Sequence, residues 1–176
     1  MSDSRGFAGK GSSDSDNFKF DMSGLENLID VMNSKKKVQV GIWGGSHPSQ
    51  KGQTETNADI GYKNEFGFIT KFKGKSVPVP ARPWLRPAFT EKNVEEMVKR
   101  AVDFLKKSVK SKDAALFFNG IGIAAMNIIQ KAFNDSGYAG KPWAPNRPST
   151  VKLKGSSMPL IDTGNLRRAV VYKVVG

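Results

Sequence analysis

Apolar residues along this 176-residue chain recur at a few distinct spacings, and each predicts a different element. Leu25, Leu28, Ile29 and Met32 fall at three- and four-residue steps, which predicts a short helix buried through those four side chains. Its lysine-rich end, "SKKK", suits the negative pole of a helix dipole. Val38, Val40 and Ile42 alternate and predict a strand. Val94, Met97, Val98, Ala101, Phe104, Leu105 and Val109 make a continuous stripe on a longer helix, opened by Thr90 or by Asn93 with Glu96 as a capping box. Asp113 then caps a second helix that reaches about Phe133 and is apolar nearly all round, so it is buried on more than one side. Gly120 and Gly122 inside it cost about 1 kcal/mol each relative to alanine, which calls for close packing or a kink there. The β-branched run at the end of the chain predicts a terminal strand.

Between these elements the pattern breaks down in informative ways. "NADIGYKNEFG" reads as a short helix with Asn57 as N-cap and Gly67 as stop, and Phe66 is expected in the core. Phe68 to Lys75 reads as an exposed hairpin. Prolines 78, 80, 83 and 87 then force an extended, stiff strap, because each fixes its own φ and pushes the preceding residue out of the helical region. Gly44 to Asn57 reads as a mobile loop, and a second loop follows Phe133 and carries Trp143. The expected fold is α+β: a small antiparallel sheet packed against two long helices, with a proline-rich strap and long loops. Residues 1–20, rich in Ser, Gly and Asp, are expected to be a flexible arm, and residues 21–176 a single domain.

Composition narrows the chemistry more than it names it. There is no cysteine, which removes thiol nucleophiles and thiolate metal sites. The single histidine, His47, cannot build a multi-histidine metal site. The chain is therefore expected to have no catalytic, cofactor or metal site. No apolar run approaches the roughly 18 to 20 residues of a membrane span, so no membrane partner is expected. The net charge of +12 attracts phosphate without reading sequence, and a basic nucleic-acid-binding module is the alternative function. Its lysines and arginines are scattered, however, and no recognised DNA-reading motif accompanies them. "KFKGK" at 71–75 reads either as a hairpin tip facing DNA or as a solvated face.

"LIDTG" at 160–164 has the look of an aspartic-protease catalytic loop. In such enzymes the strands after the motif build the flap and the cleft wall, and here only residues 165–176 follow. The structural reading is simpler. Asp162 and Thr163 bond local backbone amides as an Asx-turn or N-cap, and Gly164 supplies the bend. A turn of helix at "NLRR" then leads to the last strand.

Three motifs in order carry a resemblance: "EFG" at 65–67, "ARPWLR" at 81–86, and a C-terminal set comprising Trp143, Pro145, Thr150, Lys152, Leu160, Asp162, Thr163, Gly164 and Leu166. With a helical region between the second and third, the chain resembles the neck and tail-completion proteins of tailed bacteriophages, also grouped as virion morphogenesis or minor tail proteins. "NRP" after Trp-Ala-Pro departs from that pattern, as does the long N-terminus. The resemblance implies a structural virion protein, assembled in the host bacterial cytoplasm, that forms a homo-oligomeric ring at the head–tail junction. Six-fold symmetry is favoured over twelve-fold. Other neck and tail proteins are its expected partners, and packaged DNA lies nearby without sequence-specific recognition. Subunit contacts are expected at Arg82, Trp84, Leu85, Arg86, Trp143 and Arg167, with Trp84 and Leu85 also able to hold the strap to its own domain. Arg82 and Arg86 flank them and are expected to pair with Glu65 or with a neighbouring subunit, or to be solvated.

Overall fold

The computed structural model describes residues 23–44, 55–138 and 140–176. The expected N-terminal arm (residues 1–20), most of the expected mobile loop and His47 lie outside the described residues. The chain is mixed helix and strand, as the pattern predicts. α1 (Ser23–Asn33) leads to β1 (Lys37–Gly41), then α2 (Asn57–Phe66) and a hairpin of β2 (Phe68–Phe72) and β3 (Lys75–Val79). After the strap and a single 3₁₀ turn (Arg86–Ala88) come the long pair α3 (Glu91–Ser111) and α4 (Ala114–Asn134). A minimal ladder of β4 (Gly137–Tyr138) and β5 (Lys141–Pro142) follows, then α5 (Pro148–Lys154), α6 (Asn165–Arg168) and β6 (Val171–Val175).

The two long helices form an antiparallel pair whose corner is fixed by hydrogen bonds. Lys112 ends α3 in a left-handed conformation (φ 55°), and the Asp113 carboxylate accepts from the Ala115 N–H to start α4. Ser108, fully buried, donates its hydroxyl to the Asp113 carbonyl at 2.7 Å. The two glycines of α4 are where other elements come closest. A Cβ on Gly120 would lie 2.2 Å from the Phe104 ring of α3, and one on Gly122 would lie 2.1 Å from the Tyr172 ring of β6. Close packing is thus the reason for both, and it seats α4 between α3 and the antiparallel β1–β6 pair, which runs from Lys37 opposite Val175 to Gly41 opposite Val171. The strands make three separate two-stranded ladders rather than one sheet.

Several expectations change. α1 is rotated from the face its apolar spacing predicts: Asn27 and Val31 are buried, while Leu25 and Ile29 are 46% exposed and Met32 is 75% exposed. Close approach to α3 sets this rotation. A Cβ on Gly24 would sit 3.3 Å from Val109, and the Asn27 side-chain amide donates to the Ser108 carbonyl at 2.7 Å. The loop after Phe133 contains the short ladder and α5, which starts with Pro148 in its first turn and stops at Gly155 (φ 68°). The hairpin runs on to Val79 and includes Pro78, so the strap proper begins at Pro80. Contrary to the expectation that no run approaches a membrane span, α4 meets that requirement by length and composition alone. Here it is the core helix, with Phe118, Ala125, Ile129 and Phe133 among its buried residues.

Candidate functional site

The three motifs, far apart in sequence, meet in one place. α2 sets the first of them. Its start is a capping box at Thr56, one residue before the expected cap: the Thr56 hydroxyl accepts from the Asp59 N–H, and the Asp59 carboxylate accepts from the Thr56 N–H. The Thr56 hydroxyl also donates to the Asp59 carboxylate at 2.7 Å, and this bond, with the one from the Thr56 N–H, holds the Asp59 carboxyl below the usual carboxylate range. Its end is Gly67 at φ 78°, where a Cβ would stand 2.9 Å from the Ala81 nitrogen, so only glycine lets the strap pass this close.

The last turn of α2 turns Glu65 inward. Buried carboxylates are costly unless fully bonded, and this one is. It accepts from the backbone N–H of Trp84 (2.6 Å), Leu85 (3.0 Å) and Arg86 (3.3 Å), and from the Arg86 Nε at 3.0 Å. One side chain thereby satisfies three consecutive amides of a strap that has no strand partner. Of the two expected arginine partners only Arg86 pairs with Glu65. Arg82 turns the other way and donates to the carbonyls of Ala144 (2.8 Å) and Pro145 (3.2 Å), while its own N–H donates to the Asn64 carbonyl at 2.7 Å. Burial pushes its guanidinium below the ordinary arginine value.

Trp84 and Trp143 complete the junction. The Trp84 indole donates to the Gly61 carbonyl at 2.8 Å, and the Trp143 indole donates to the Pro83 carbonyl at 2.9 Å. Both rings pack on Phe133 of α4, each with centroids 5.7 Å apart, one tilted and one edge-on. These are favourable aromatic geometries, and they bury the polar edge of each indole against a carbonyl. Leu166 of α6 and Val170 belong to the same core cluster, with Leu160 packed against it. Beside the junction lies an open cleft of about 230 Å³ bordered by Arg82, Asn146, Lys154 and Asp162. Burial and the Arg82 charge lower the Lys154 pKa, while the charge of Asp162 opposes them.

Arg82, Trp84 and Trp143, read from the sequence as subunit contacts, are therefore inside the subunit, with 8%, 4% and 6% exposure. A tryptophan whose ring and N–H are both satisfied internally has nothing left to offer a neighbour. Leu85 is half-buried against the same cluster. Arg86 is the most exposed of the six and stacks its guanidinium 4.5 Å from the Phe66 ring. Arg167 bonds the Asn134 side chain of α4. Phe66 itself is 51% exposed, not in the core, because Glu65 takes the inward position on that turn.

Asp162 does not make the corner. α6 has no side-chain cap; Gly164 occupies its N-cap position at φ 76°, and Asp162 is exposed with no hydrogen bond among the described residues. The bend is held instead by Arg168, which donates to the Thr163 carbonyl at 3.0 Å and to the Asn165 side chain. Sequence reasoning missed Glu65 as the organiser of the strap and Phe133 as the ring both tryptophans share. Neither carries a local signal, since each acts through residues distant in the chain.

No protein-family model, curated protein or solved structure gives a significant match to this chain.

Proposed function

We propose that this chain is a structural virion subunit of a tailed bacteriophage, forming a homo-oligomeric ring at the head–tail junction that joins or completes the tail. The observation that carries this reading is the convergence of its three family-like motifs on a single hydrogen-bonded junction. Motif strings that match by chance have no reason to bond one another. Here "EFG" supplies the Glu65 acceptor, "ARPWLR" supplies its donors, and Trp143 donates back to Pro83. The set therefore behaves as one fold signature.

The outer surface supports the same reading. α1 leaves Leu25, Ile29 and Met32 uncovered, and α3 leaves Val94, Val98 and Val102 uncovered at four-residue steps. Apolar stripes on two neighbouring helices suit a subunit whose burial is completed by further copies of itself. Six-fold assembly is the favoured form. The deciding experiment is electron microscopy of lysates from a host infected by phage lacking this protein. Filled heads beside separate tails, joined on adding the purified protein back, support the reading. Normal joined virions sink it.

A further inference from the structure

We infer that the β2–β3 hairpin is a phosphate-contacting finger that binds the backbone of double-stranded DNA without reading its sequence. The argument begins with how the hairpin stands. β2 and β3 pair from Phe68 opposite Val79 to Phe72 opposite Lys75, and among the described residues no other element packs broadly against either strand. Lys73 (φ 50°) and Gly74 (φ 76°) turn the chain at the tip in the mirror-image geometry that matches strand twist. A lone two-stranded ribbon is marginal in water, so one projected this far is expected to be completed by what it binds.

Charge says what that is. Between Glu65 and Glu91 the sequence contains no acidic residue, while Lys71, Lys73 and Lys75 crowd the end of the ribbon. All three are exposed, and no ion pair involves them among the described residues. Ile69, 74% exposed, and Phe72, 57% exposed, sit beside them, so the tip offers ammonium groups on an apolar stem. A second copy of the same ribbon is a poor occupant of this tip, since it brings the same three lysines and no acidic residue. A duplex suits it, because a two-stranded ribbon fits the major groove and phosphates line its rim. The inference does not rest on the ring: the soluble subunit alone tests it.

The test is fluorescence anisotropy of the full chain with a labelled duplex of arbitrary sequence, titrated from 50 to 200 mM NaCl. Each neutralised phosphate contributes about 0.9 to the slope of log affinity against log salt. K71Q/K73Q/K75Q should therefore flatten the slope by about 2 to 3, so that the fourfold salt rise costs it about 40-fold less affinity than it costs the wild type. K71R/K73R/K75R should keep the wild-type slope. K106Q/K107Q/K110Q on α3, with the same loss of charge, should leave the slope within about 1 of wild type. Equal flattening in both glutamine variants overturns the finger, as does the absence of wild-type binding at 50 mM. A hairpin variant that keeps its DNA slope but loses self-association also overturns it, and assigns the ribbon to a protein neighbour.

Discussion

The strap junction and the β2–β3 hairpin are consecutive in the chain and opposite in construction. From Pro80 to Arg86 the backbone has no strand partner, yet Glu65, Asn64, Gly61 and Trp143 answer its polar groups or bond its side chains. From Phe68 to Val79 the strands pair only with each other, and most side chains beyond Phe68, Val77 and Val79 are exposed. The first region is held by side chains reaching across the fold, and the second chiefly by its own main-chain ladder, with Arg147 and Lys63 touching only its base. Residues that look like recognition groups, tryptophan and arginine, lie in the region turned inward. The side chains left outside are lysines and aliphatics of ordinary appearance.

The largest effect should come from the carboxylate at the centre of the junction. Glu65→Ala leaves three strap amides without their acceptor, and the exposed Arg86 without its ion-pair partner, and should destabilise by about 3–5 kcal/mol in urea unfolding. Glu65→Gln keeps one acceptor oxygen and should cost less than half as much. Equal stability of Glu65→Ala and wild type would mean that the strap is held by its tryptophans and not by hydrogen bonds.

Second in size are the glycines of α4, where helix propensity and packing oppose each other. Alanine gains about 1 kcal/mol over glycine in a helix interior. At Gly122 the added carbon would enter the Tyr172 ring at 2.1 Å, and overpacking of that kind costs about 1–3 kcal/mol. Gly122→Ala should thus lower the melting temperature in spite of its better propensity. Gly122→Ala in a Tyr172→Ala background should recover part of the loss, since the ring is what the methyl meets.

The hairpin should answer in the opposite way. Ile69→Ser and Phe72→Ser remove exposed apolar surface and should leave unfolding free energy within about 0.5 kcal/mol of wild type. A loss as large as that of Glu65→Ala would show that the hairpin packs on the body, which would remove the contrast between the two regions.

Much of the fold was legible because its signals are local. Thr90, Asp113 and Gly67 act on their own helix ends, and the stripe on α3 and the all-round apolarity of α4 follow from spacing. Where meaning depends on a distant partner, spacing misleads. The apolar residues of α1 predict the wrong face because Gly24 and Asn27 approach α3 more closely than leucine allows. Arg82 and Trp143 read as subunit contacts, and Trp84 as either that or the plug of its own strap, because their acceptors, the carbonyls of Ala144, Pro83 and Gly61, are backbone groups and leave no trace in composition. The junction was visible as three motifs, but not as one object.

The smallest effect separates two aspartates with similar sequence credentials. Asp59 and Asp162 each precede or open a short helix beside a threonine, and the sequence gives more weight to Asp162 because of its Asp-Thr-Gly setting. In the structure Asp59 accepts two bonds from Thr56 and Asp162 accepts none among the described residues. Asp59, with its pKa lowered by those bonds, contributes stability that is present above the ordinary carboxylate value and lost as pH falls through the depressed one. Asp59→Asn should remove that acid-side loss from the pH profile of unfolding. Asp162→Ala should leave stability within about 0.5 kcal/mol, because the corner it occupies is held by Gly164 and Arg168. A cost of 1 kcal/mol or more at Asp162 would restore it as the maker of that corner, and would move the organising contact from Arg168 to the carboxylate.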